Sequence, residues 1–147
     1  MTDTSTDYTV ARLYERLHNE EHTLMVENGD EIFAGDRRGI ADLHHLLSTR
    51  KEFLRNATLV DKVIGKGAAA LMCVGGVNRV HTDIISRPAL NLLEAYGITA
   101  TYDRLVDNII NRQGTGLCPV ESLCLRCETA EECLPLIDNF LKSLSKN

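Results

Sequence analysis

The sequence has no tryptophan, and aromatic residues fill only 5% of its 147 positions. Surfaces that stack bases rely on aromatic platforms, so a single-stranded nucleic-acid binder is disfavoured. Basic charge is short too: 16 Lys and Arg stand against 21 Asp and Glu, for a net charge of −5. Without a basic block there is nothing to track a phosphate backbone, and nucleic acid is excluded as the expected partner. No apolar run approaches the ~20 residues of a membrane-spanning helix, so no membrane partner is expected. The first ten residues, MTDTSTDYTV, are polar and acidic and do not read as a secretory leader. Five cysteines is an odd number. Without a leader they read as reduced thiols in a cytoplasm. There is no internal repeat, low-complexity segment or linker. Residues 1–7 are expected to be a flexible tail and residues 8–147 a single domain.

What is present is an ordinary globular composition, 44% hydrophobic and 25% charged, enough for one domain with a real core. The most informative stretch is residues 58–76, TLVDKVIGKGAAALMCVGG. Thr58 and Asp61 have capping-box spacing, and Gly75-Gly76 supplies a stop. The whole stretch therefore reads as one helix. On that reading Val60, Val63, Ile64, Gly67, Ala68 and Leu71 face a sheet. Lys62 and Lys66 then stack four residues apart on the other side, in the turns where a helix disfavours ammonium groups. They are either solvated and compensated, or part of an anion site formed with free helix amides. The glycines do not fit the GxxxxGK[ST] phosphate loop.

Around this stretch the pattern predicts a helix over 9–19. A hairpin through Asn28-Gly29 joins strands over 22–26 and 31–34. Helices follow over 40–47 and around Phe53 and Leu54. A strand over 78–85 leads to a helix over 87–96 capped by Ser86, then a strand over 98–102. That strand-helix-strand run favours parallel pairing. A short helix is expected over 103–110, then a glycine loop, a helix from Pro119, and a last helix from the capping box at 129–132. The adjacent His44 and His45 do not face one ligand, and His81 reads as a packed strand residue.

The second informative stretch is NRQGTGLCPVE, residues 111–121. Its backbone can bend into a nest around Gly114, Thr115 and Gly116. Cys118 falls at a helix start, where the dipole favours a thiolate; the alternative is a tight turn with a half-buried thiol. Cys124, Cys127 and Cys133 add a CxxC and one more thiol, but the spacing is not that of a zinc ribbon. Buried thiols are the plainer reading, so no metal and no cofactor are expected.

DKVIGKGAAALMCVGGV together with NRQGTGLCPVE resembles a small prokaryotic family, domain of unknown function 1893, over nearly the whole chain. The resemblance implies a cytidine-deaminase-like α/β fold, a three-layer α/β/α sandwich around a mixed sheet of about five strands. In deaminases of that fold, two helix starts hold a zinc ion. Here no His or Cys stands near Asp61, and Cys118 precedes Pro119 instead of following it. A zinc deaminase is therefore not expected. What carries over is location: the two helix starts should meet, converging Asp61, Lys62, Lys66, Thr115, Cys118 and Glu121. The expected function is binding of a small anionic or nucleotide-like metabolite. Lys62, Gly65, Arg112, Gly114, Thr115 and Gly116 would contact it. If there is catalysis, Cys118 is the nucleophile, Lys66 or Glu121 transfers protons, and Asp61 orients a partner. A ligand-sensing module without catalysis, and a cysteine-based metal or redox module, are the alternatives. A homodimer is an expectation from the resemblance only.

Overall fold

Residues 4–37, 40–111 and 113–144 are described in a computed structural model. The chain runs α1 (Thr4–Asn19), β1 (Leu24–Asn28), β2 (Glu31–Gly35), α2 (Ala41–Thr49), α3 (Lys51–Leu54), β3 (Thr58–Ile64), α4 (Lys66–Gly75), β4 (Arg79–Ser86), α5 (Arg87–Ala95), β5 (Thr99–Val106), α6 (Pro119–Cys124) and α7 (Ala130–Leu144). The strands form one five-stranded sheet in the order β2-β1-β3-β4-β5. β1 is antiparallel to both β2 and β3, whereas β3, β4 and β5 are parallel. The sheet is therefore mixed, and the fold belongs to the α/β class.

The largest departure from the sequence reading is at residues 58–76. Residues 58–64 are the central strand, and the helix begins only at Lys66. Thr58, Val60, Val63 and Ile64 are β-branched and suit a pleated, packed surface. Strand alternation turns Val60 toward α1 and Leu59 toward the other helices, each fully buried in its own cluster. Pairing on both edges outweighs the local capping signal. The Asp61 carboxylate accepts from the Val63 amide at 3.3 Å and caps nothing.

Two further expectations are corrected. Residues 103–110 do not form a helix: β5 continues to Val106, whose register partner is Ser86. α1 begins at Thr4, so residues 4–7 are helical instead of a tail; residues 1–3 lie outside the described residues. Local signals were obeyed elsewhere. Ser86 Oγ accepts from the Ala89 amide at 3.2 Å, with proline in the first turn of α5. Thr129 Oγ1 accepts from the Glu132 amide at 3.2 Å at the start of α7.

The main core lies on one sheet face, where Leu59, Ile64, Val80 and Ile85 meet α4 and α5. α4 is apolar all round, as befits the central buried helix. The opposite face is covered by α1, through a small cluster of Leu13, Leu17, Met25 and Val60. Beside it lies a polar group. The Tyr14 hydroxyl reaches Asp83 and, at 2.7 Å, Asp103, and His18 Nε2 lies 2.8 Å from Asp83. His81 packs edge-on against Tyr14 and its Nδ1 lies 2.7 Å from Thr101 Oγ1, the packed role expected for it.

Candidate functional site

β3 delivers the chain to the carboxyl end of the parallel strands, the usual place for a site in an open α/β sheet. Gly65, in extended conformation, links it to the first turn of α4. Here α6 arrives from the far end of the chain. Its first turn, Pro119-Val120-Glu121, packs onto the first turn of α4. A Cβ on Gly67 would lie 2.2 Å from Val120 Cγ1, and one on Gly65 would lie 3.3 Å from Glu121 Oε1. Only glycine lets the two helix starts approach this closely.

Glu121 is the buried tie at this junction, 1% exposed. Its Oε1 accepts from the Lys66 amide at 2.7 Å and from Ser86 Oγ at 2.8 Å, and its Oε2 accepts from the Ile109 amide. The first amide of α4, at the positive end of the helix where an external anion would bind, is thus served by the protein's own carboxylate. Ser86 also caps α5, so one carboxylate joins α4, α5, α6 and the segment after β5. Both Glu121 oxygens are thus engaged in hydrogen bonds that hold the junction together.

Lys66 is likewise committed. It is 8% exposed, and its Nζ donates to Leu125 O at 3.0 Å and Cys127 O at 2.5 Å. A cation there satisfies the carbonyls at the end of α6. Lys66 is not among the described residues that line the cavity with Asp61. Lys62 sits on β3 one residue from Asp61, so alternation sends it to the α1 face. The lysine pair that suggested an anion site is not a pair: one residue is on a strand and the other on a helix.

The junction encloses a cavity of about 490 Å³, lined by Asp61, Val63, Gly65, Ala68, Ile109, Ile110, Cys118, Val120, Glu121 and neighbours. That volume lies within the range of small-molecule sites. Of the residues singled out from sequence, Asp61, Gly65, Cys118 and Glu121 line it. Gly114, Thr115 and Gly116 do not; they are exposed in the adjoining loop. There Asn111 Oδ1 accepts from the Thr115 amide at 3.0 Å and Asn111 Nδ2 donates to Thr115 Oγ1 at 3.1 Å. The loop closes on itself. Arg112 lies outside the described residues.

Asp61 is the chemically distinctive group. What surface it keeps faces an apolar cavity, so burial pushes its pKa up to about 8, opposed by the amides of Val63 and Lys62 and helped by the charge of Asp83. A carboxyl held near neutrality can donate a hydrogen bond or exchange a proton at ordinary pH. Cys118 is the half-buried N-cap of α6 on the same cavity wall. The other cysteines are elsewhere: Cys73, Cys124 and Cys133 are buried in the core, and Cys127 is half-buried in the turn between α6 and α7. Among the described residues no group of three or more His, Cys, Asp or Glu side chains is placed to hold a metal ion.

Val63, Ile109 and Val120 line the cavity and were missed from sequence. For Val63 the signal was available in the Leu59-Asp61-Val63 alternation. For Ile109 and Val120 there was none, because their contacts are made across some forty to fifty residues of chain.

The family described as "TM1506: Domain of unknown function (DUF1893)" matches residues 12–141. Among solved structures, a crystal structure of a DUF1893 family protein (TM1506) from Thermotoga maritima superposes with a TM-score of 0.82. It has 22% sequence identity, and the match covers 95% of this chain and 92% of that one. The likeness shows a shared fold. No curated protein matches the chain.

Proposed function

Since this chain belongs to the DUF1893 family, whose description names no activity, we propose a function from its own geometry: it binds a compact small molecule in the cavity at the carboxyl end of β3. The observation that carries this is Asp61, a carboxyl kept near neutrality inside an otherwise mainly aliphatic cavity of ligand size. Few polar groups in a concave apolar site are what orient small ligands. The anionic or nucleotide-like ligand expected from the lysines loses its support, because Lys62 and Lys66 do not line the cavity. We also take the fold as the three-layer, cytidine-deaminase-like sandwich that the resemblance implies; helices on both faces of a mixed five-stranded sheet support it.

The test is a fragment screen by amide-resolved NMR on the full chain and on Val120→Trp, whose indole would fill the cavity. Shifts clustered at Val63, Ile109 and Cys118 that vanish in the variant support a ligand site. Shifts unchanged in a folded Val120→Trp protein count against it.

Catalysis is the second reading, favoured by Asp61 and Cys118 facing one cavity. It requires a nucleophilic thiol. Alkylation of Cys118 by iodoacetamide no faster than free cysteine at pH 7 removes it.

A further inference from the structure

We infer that the ligand of this cavity is a compact, largely apolar molecule carrying one ammonium group, which is held against the carboxyl of Asp61. This rests on the cavity being a ligand site, and it specifies the ligand's charge. Two carboxyl groups line the cavity. Glu121 is filled, accepting from the Lys66 amide, the Ser86 hydroxyl and the Ile109 amide. Asp61 is served by backbone amides alone, that of Val63 at 3.3 Å from Oδ1 and that of Lys62, and among the described residues no side chain donates to it. Among the described lining residues there is no Lys, Arg or His.

An anion entering here would meet two carboxyl groups and no described cationic side chain. A neutral molecule would gain one hydrogen bond. An ammonium gains a charge-assisted bond to Asp61. The aliphatic walls, Val63, Ile109, Ile110 and Val120, suit the body of such a molecule. Among the described residues the other titratable groups on the lining are Glu121 and Cys118, and the charge that acts on Asp61 is that of Asp83 on the next strand; none of these is cationic. Because Asp61 holds its proton near neutrality, capture of an ammonium expels that proton, and binding tightens as pH rises from 6 toward 8.

Three molecules with one body and different charge separate the possibilities: tryptamine, tryptophol and indole-3-propionate. Each is titrated by NMR into the full chain and into Asp61→Asn, at pH 6 and pH 8. Tryptamine is expected to bind at least tenfold more tightly than tryptophol at pH 8. Indole-3-propionate should bind most weakly. Asp61→Asn, isosteric and checked for folding by its NMR dispersion, should erase the tryptamine advantage. Equal binding of tryptamine and tryptophol, preference for the propionate, or an advantage that survives Asp61→Asn overturns the amine assignment and leaves the cavity reading standing. Failure of all three to shift Val63, Ile109 and Cys118 at millimolar concentration overturns both.

Discussion

A single carboxylate, Glu121, holds the junction on which the candidate site is built. Both oxygens are occupied and the group is buried. Glu121→Gln keeps the shape but replaces one oxygen with an N–H donor, which must then face the donor Lys66 amide and Ser86 hydroxyl or the donor Ile109 amide. Such a buried mismatch costs about 1–3 kcal/mol. The midpoint of urea unfolding should fall accordingly, with the slope unchanged. Asp61 should act in the opposite sense. Its folded pKa is raised to about 8, above the ~3.9 of an unfolded aspartate. The folded state therefore binds more protons, and its stability is fully present below about pH 4. It is lost as pH rises through 8, with a slope of at most ~1.4 kcal/mol per unit. Urea midpoints from pH 5 to 9 should decline in the wild type, and the decline should be shallower in Asp61→Asn. An equal decline in both would remove Asp61 as its source.

At the scale of elements, the closest contact is Gly67 against Val120. Gly67→Ala should displace α6 and cost about 1–3 kcal/mol by overpacking. Val120→Ala in the same chain should return part of that loss, since the two sites touch and couple. Additive losses in a double-mutant cycle would show that the contact does not govern the packing. This junction also marks the limit of what the sequence could say. Ser86 and Thr129 caps, the hairpin at residue 29 and the α5 helix were legible because their signals are local. β3 was not: Thr58 and Asp61 imitate a helix start, and only pairing with β1 and β4 reveals the strand. Moving the helix start from residue 58 to Lys66 rearranges the site. Asp61 goes to the cavity, Lys62 to the other face and Lys66 to the end of α6. That the starts of α4 and α6 meet was legible, through the resemblance; which side chains face the gap was not.

For the molecule as a whole, the two sheet faces are unequal. α4 and its neighbours rest on the large core, while α1 rests on the small cluster of Leu13, Leu17, Met25 and Val60, with Val10 also buried, a polar group around Tyr14 and the Arg12–Glu27 ion pair. No helix among the described residues is long and apolar enough to cross a membrane. The cavity opens on the core side, near the carboxyl end of β3 and away from the residues that hold α1.

The thin attachment of α1 has a consequence for how the protein opens. Regions with few buried apolar contacts unfold locally before the whole does. Amide hydrogen exchange should find α1 exchanging through a sub-global opening, while β3, β4 and α4 exchange only on global unfolding. Each opening would bare Met25, Val60 and the paired edge of Asp83 and Asp103 on a sheet that itself stays intact. The protein would then carry, for brief intervals, an uncovered strand face alongside an undisturbed cavity. Equal protection of α1 and β3 would show instead that the helix and sheet open as one unit.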